Sequence, residues 1–399
     1  MEKLSLNPNI ASRIQSIDLL RGLVMIIMAL DHVRDYFHAA AFLYDPTDLS
    51  RTSAPIFFTR WITHYCAPVF VFLSGTSAYL MSRRKSKKEL SLFLLKRGLW
   101  LLFLELVVLA FGWNFDIHFH SILLITIWMF GISMIVLAAL VHLQLTTILI
   151  IGLALVLGHN LLDTINIDGN DLQAFLWAVL HKQAGFSYAG KTILVGYPVI
   201  PWIGVMPLGY CLGSLYTSGY DPVKRKKILL WIGSLAILAF LVLRITNLYG
   251  DSALWAEQSS PLFTFLSFLN VSKYPPSLLY LLVTLGPALL FLAFTERVSG
   301  KISDVILVYG RVPLFYYLIH IYLIHVLAVF AAILLPEFSW SVMIMEEPIW
   351  FTAELRGFGF PLYVVYLVWA GVVVSLYPLC KWYDKYKRNN KEKWWLSYL

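Results

Sequence analysis

Charge is what this chain has least of. Only 14% of its 399 residues are Asp, Glu, Lys or Arg, while 59% are hydrophobic. Soluble domains carry about a quarter charged residues. The shortfall excludes a soluble globular enzyme and a disordered chain. It also excludes a nucleic-acid binder, although the net charge is +8. Cysteine is scarce as well. Cys66, Cys211 and Cys380 sit in or beside apolar runs and give neither metal-ligand spacing nor a disulfide framework. No Walker loop, dinucleotide fingerprint or Gly-x-Ser-x-Gly elbow occurs in a suitable context. No repeat or low-complexity segment stands out.

What the chain does have is long apolar runs, with a mean hydropathy of +0.72. Ten of them approach spanning length: Ile17 to Phe37, Ile56 to Met81, Leu90 to Trp113, Ile122 to Val141, Thr146 to Leu161, Tyr197 to Tyr216, Ile228 to Leu248, Ser277 to Phe294, Val305 to Leu335 and Leu362 to Trp382. The expectation is an all-α polytopic membrane protein, a single domain over residues 1–399. The first run is not expected to be a signal peptide, because Asp31, His32, Arg34 and Asp35 interrupt its apolar core.

Basic residues set the expected orientation. With both termini cytoplasmic, the inner segments hold 21 Lys and Arg: Lys3, Arg13, the clusters Arg83 to Arg97 and Lys224 to Lys227, Arg297, Lys301 and those after Leu379. The outer side holds six: Arg51, Arg60, Lys182, Lys191, Lys273 and Arg356. The long segments Leu162 to Gly196, Gly250 to Pro276 and Pro336 to Pro361 then fall outside. Their aromatic residues suit either an interfacial belt or a carbohydrate-facing surface.

Charge inside a span is costly and points to function. In the first run Asp18, Arg21, Met25, Met28, His32 and Asp35 follow a 3-4-3-4-3 spacing that puts them on one helical face. Asp18 and Arg21 are placed to pair. His32 lies 14 residues beyond Asp18, about 21 Å along the axis, in the outer half of the bilayer. Asp35 is within reach of its imidazole. Asp31 points to another side, shared with Arg34, Asp35 and His38. A His oriented by a carboxylate is the usual form of a general base.

Further candidates are weaker. His64 lies near the depth of His32 and could face it. Pro68 and Gly75 read as a kink and a packing face. Arg311 opens the ninth run just before Pro313, a good first-turn residue and a phosphate-binding context. His320 stacks on Tyr316 and Tyr317. It is five residues from His325, about 140° round the helix, so the two cannot share a metal. Asp116, His118 and His120 form a short outer segment without further ligands. No metal is expected.

The stretch Ser16-Ile17-Asp18-Leu19-Leu20-Arg21-Gly22 resembles the opening of the heparan-alpha-glucosaminide N-acetyltransferase-like membrane acyltransferases. Pro68, Phe70, Phe72 and Gly75 match a second-span motif of that family. The segments around Pro201-Trp202-Ile203-Gly204, Lys273-Tyr274-Pro275-Pro276-Ser277 and Gly310-Arg311 look like its bacterial members. The resemblance implies transfer of an acetyl group from cytoplasmic acetyl-CoA, as co-substrate, to an amine or hydroxyl of a sugar outside. Asp18, Arg21 and His32 reproduce the spacing of a wider group of sugar acyltransferases whose catalytic His follows that Asp by fourteen residues. The lysosomal enzyme has Asn where Asp31 stands and a later active His, whose counterpart is His38. His32 is favoured, with Asp35, Asp31 and His38 completing the catalytic candidates. Arg21, Arg97 and Arg311 form the expected CoA-phosphate vestibule. His64, His320 and Lys273 are the expected acceptor contacts. The expected location is a plasma or inner membrane, with lipid and a glycan as partners and a homodimer left open. The alternative is a transporter or flippase for a lipid-linked sugar, although inverted repeats and paired broken helices are absent.

Overall fold

The computed structural model describes residues 14–398; Lys3 and Arg13 of the topology argument lie outside the described residues. The helices are α1 (Gln15–Phe37), α2 (Ala54–Ile62), α3 (Cys66–Ser82), α4 (Lys87–Phe103), α5 (Ala110–Asn114), α6 (Thr126–Leu140), α7 (Leu145–Gly158), α8 (Leu172–Leu180), α9 (Ile200–Leu212), α10 (Pro222–Thr246), α11 (Pro261–Leu269), α12 (Leu278–Phe294), α13 (Lys301–Arg311), α14 (Pro313–Leu334) and α15 (Leu362–Asn389). A one-turn 3-10 segment, Thr63–Tyr65, joins α2 to α3. A wider-wound turn, Leu104–Leu109, joins α4 to α5.

Five helices or helix pairs are long and apolar enough to cross a membrane: Ala54–Ser82, Leu145–Leu162, Pro222–Thr246, Pro313–Leu334 and Leu362–Asn389. Helices α6 and α12 are shorter but equally apolar. Helix α1 has the length, but Asp18, Arg21, Asp31, Arg34 and Asp35 interrupt its apolar character. Nearly all of α1 is buried, and α3, α12, α13, α14 and α15 pack around it.

The chain is mostly helical, as expected, but three of the expected runs need correction. Among the helices, strands β1 (Ser121–Leu124), β2 (Ala184–Tyr188) and β3 (Lys191–Val195) form one small sheet in the order β1-β3-β2. β1 runs parallel to β3 with Ser121 opposite Thr192, and β2 runs antiparallel to β3 with Ala184 opposite Val195. So the fourth run opens as a strand. A short apolar run such as Ile122-Leu123-Leu124-Ile125 suits a buried strand as well as a helix, and here the distant β3 decides. The helix of the sixth run, α9, starts at Ile200, later than Tyr197, because Tyr197 and Gly196 are held by the Leu124 carbonyl at the sheet end. The ninth run is two helices, α13 and α14, broken at Val312. Pro313 lacks an N–H and disfavours helical backbone in the residue before it.

Close helix approaches use glycine. A Cβ on Gly22 would collide with the Ile306 carbonyl of α13, and one on Gly310 with the Asp18 carbonyl of α1. Gly75 and Gly209 lock α3 to α9 in the same way, which bears out Gly75 as a packing residue. Gly22→Val is expected to lower thermal stability in detergent by about 1–3 kcal/mol or more through overpacking. Gly371→Val, at a position with open space beside it, should leave it unchanged. Equal melting of the two variants would refute the tight α1–α13 seam.

Candidate active site

Two cavities meet at His32. The larger, about 450 Å³, is lined by charged and polar groups including Asp31, His32, Arg34, Asp35, Arg60 and Arg356. The smaller, about 110 Å³, is mainly apolar, with Met25, Met28, Phe70, Phe130 and Met134 in its wall and Arg97 and Lys273 also reaching it. Asp31, His32, Thr126 and Tyr197 line both. Of the stripe read along α1, Met25, Met28 and His32 line the narrow cavity and His32 and Asp35 the wide one, whereas Asp18 and Arg21 line neither, and Asp31, expected on another side, lines both.

The acids and cations form one buried network. Arg34 donates through one Nη2 to Asp31 Oδ1 at 3.0 Å and to Asp35 Oδ1 at 2.6 Å. Arg60, from α2, donates to Asp31 Oδ2 at 2.5 Å. Lys273 Nζ, from the turn before α12, lies 3.8 Å from the same oxygen. The Arg60 guanidinium also reaches the Tyr274 hydroxyl at 3.4 Å. Asp45, in the loop after α1, lines the wide cavity. Burial pushes its carboxyl up, but hydrogen bonds from Thr47 and the nearby Arg60 and Arg34 outweigh this and hold it below the usual carboxylate range.

The expected His32–Asp35 pair does not form, because the Arg34 guanidinium lies between Asp31 and Asp35 and takes both carboxylates. His32 instead turns Nδ1 to Nε2 of His320, at 2.8 Å. Trp113 and Tyr317 pack edge-on against its ring at centroid distances of 5.1 and 5.8 Å. His320 stacks on Tyr316 as expected, at 5.0 Å. His325 is a helix-packing residue, held by the Gly112 and Met343 carbonyls.

The other expected residues divide. Lys273 and Arg97 reach the narrow cavity. His38 reaches neither cavity. It ends α1 and bridges to Phe360, where Gly359 at φ 115° admits the Ala39 backbone. His64 is buried beside Tyr280, whose hydroxyl donates to the His64 carbonyl at 2.7 Å, and it lines neither cavity. Its neighbour Thr63 does. Arg21 pairs with Asp18 at 3.1 Å, as the spacing suggested, and donates to Ser77 Oγ and the Gly310 carbonyl. Arg311 lies 3.7 Å from Asp384. Neither Arg21 nor Arg311 lines a cavity, so the three arginines do not form one wall.

Sequence reasoning missed Arg60 and Glu105. Arg60 counted as an outer-side anchor, and nothing in its local spacing reveals a partner 29 residues away. Glu105 is fully buried and accepts from the Ile127 and Trp128 amides at 2.6 and 2.8 Å, capping α6 beside Thr126. As the single acid in an apolar run it carried a signal that the charge rule for spans recognises. Among the described residues no cluster of His, Cys, Asp or Glu could hold a metal.

A family model described as heparan-alpha-glucosaminide N-acetyltransferase, catalytic, matches residues 13–245. That stretch includes His32, Asp31, Arg60 and Arg97; Lys273, Arg311 and His320 lie beyond it. A search of the curated proteins finds no match.

The network predicts a stability effect. Asp31→Asn leaves Arg60 and Lys273 buried against a neutral amide and should cost about 3–5 kcal/mol. Adding Arg60→Gln should return part of that loss. Thermal unfolding of the single and double variants measures the coupling, and strict additivity would contradict the pairing.

Proposed function

This chain belongs to the heparan-alpha-glucosaminide N-acetyltransferase catalytic family, and from that premise we propose that it moves an acetyl group from acetyl-CoA across the membrane to an amine or hydroxyl of a sugar. The observation that carries the reading is the pair of unlike cavities sharing His32. The narrow apolar one suits the thin pantetheine arm and thioester, with the Arg97 guanidinium on its wall to meet a phosphate. The wide polar one suits a sugar. As further parts of the proposal, residues 1–399 act as a single domain of about ten spans, and both termini are cytoplasmic. Arg97 then belongs to the inner half and the Asp31 network to the outer half of a plasma or inner membrane.

The chemistry follows from the groups at the junction. His32 Nε2 is the ring nitrogen without a protein partner among the described residues. It takes the proton that the acceptor amine or hydroxyl loses as it attacks the thioester carbonyl. Lys273 reaches the narrow cavity beside His32, and its ammonium stabilises the negative charge that develops on the carbonyl oxygen. The protonated His32 returns its proton to the departing sulfur. Trp113 and Tyr317 hold the imidazole plane. Asp31 keeps Arg60 and Lys273 in place and is a positioning residue rather than a base.

Membranes containing the protein should transfer label from acetyl-CoA to glucosamine. His32→Ala should still bind acetyl-CoA but lose transfer by about 10²- to 10⁴-fold. His38→Ala should retain it. A dead His38→Ala with an active His32→Ala would overturn the assignment. Arg97→Ala should weaken acetyl-CoA binding by about 1.5–3 kcal/mol, the range for a charge-assisted hydrogen bond. Unchanged affinity, measured by displacement of labelled acetyl-CoA, would place the phosphates elsewhere.

A further inference from the structure

The geometry points to His320 as the positioning residue that fixes the tautomer of His32, through a relay that ends on the Tyr316 carbonyl; this rests on His32 acting as the base proposed above. The donor and acceptor roles follow from chemistry alone. His320 Nδ1 lies 2.9 Å from the Tyr316 carbonyl oxygen. A carbonyl only accepts, so Nδ1 of His320 carries its proton. In the neutral ring Nε2 then has a lone pair and must accept. The group facing it at 2.8 Å is His32 Nδ1, which therefore donates. The proton of neutral His32 is thereby placed on Nδ1, and the Nε2 lone pair is left for the substrate.

Ring geometry agrees. The two imidazoles have nearly parallel planes, 11° apart, with centroids separated by 4.9 Å. With the two nitrogens only 2.8 Å apart, the rings meet edge to edge and not face to face. That is the arrangement of an in-plane N–H···N bond. Tyr316 stacks with His320, its ring plane 5° from the imidazole and the centroids 5.0 Å apart, and fixes its plane. His320 is fully buried, with Nδ1 toward the Tyr316 carbonyl and Nε2 toward His32. It touches neither cavity, so it acts through His32.

The relay takes the place that a carboxylate holds in Ser-His-Asp sites, where it orients the base and sets its tautomer. The nearest carboxylates are unavailable for that task, since Arg34 and Arg60 hold Asp31 and Arg34 holds Asp35. A neutral imidazole in their stead adds no charge to the apolar contact between α1 and α14. It also leaves the net charge of the junction to the cations around Asp31.

The test reads the tautomer directly and the rate separately. Full-length protein labelled with 15N-histidine is compared with its His32→Ala variant, which identifies the His32 resonances. At neutral pH the wild type should show His32 protonated on Nδ1 and bare on Nε2, the opposite of the form that free neutral imidazole side chains favour. His320→Leu should shift His32 toward the Nε2–H form. With acetyl-CoA and glucosamine, kcat should fall about 10²-fold or more, with KM for acetyl-CoA changed less than about threefold, since donor contacts are untouched. His320→Gln offers its Oε1 to His32 Nδ1–H and should keep the tautomer and recover kcat to within about tenfold of wild type. A wild type with His32 in the Nε2–H form overturns the relay whether or not any variant folds. So does a folded His320→Leu with unchanged tautomer and kcat. Full transfer by His32→Ala would instead defeat the assignment of the base, while the wild-type tautomer would still decide the relay.

Discussion

The architecture around the junction depends on one constraint, the burial of the Asp31 carboxylate. A lone carboxylate at that depth would be untenable, and each of its oxygens has a cationic donor: Arg34 on one, Arg60 on the other, with Lys273 close behind. These partners come from three separate places in the chain, the next turn of α1, helix α2 and the turn before α12. Meeting the charge of Asp31 therefore fixes where α2 and the Lys273 turn must lie. Those two segments carry Thr63, Tyr274 and Lys273 to the cavity walls. Placement of the site and neutralisation of its charge are one event.

A second constraint works at the other end of α1. Gly22 and Gly310 let α1 and α13 approach until backbone meets backbone, and Arg21 then donates to the Gly310 carbonyl across the seam. The Asp18–Arg21 pair thus serves helix packing, while Arg97 stands on the wall of the narrow cavity. Between the two ends, α1 presents Met25, Met28 and His32 to an apolar cavity. One helix is anchored by charge near each end and places the imidazole of His32 between unlike chambers. The small sheet completes the wall, because the β1–β3 pairing delivers Thr126 and Tyr197 to the same junction.

Much of this was written in the sequence. The low charge and long apolar runs determined a helical chain suited to lipid, since only segments with satisfied backbone survive there. The heptad-like spacing from Asp18 to Asp35 determined that His32 shares a face with Met25 and Met28, because 3.6 residues per turn leaves no other choice. Pro313 as a first-turn residue and Gly75 as a packing residue were equally legible. What only the tertiary structure decided was partnership. Local spacing offered Asp35 to His32, yet Arg34 captured it, and His320 came from 288 residues away to take its place. Arg60 and Lys273, which no local pattern separates from Lys182 and Lys191, became counter-charges of a buried acid. The run from Ile122 opens as a strand because β3 lies beside it. Periodicity specifies which way a side chain leaves its own helix. What stands opposite is set by long-range packing, which no local pattern encodes.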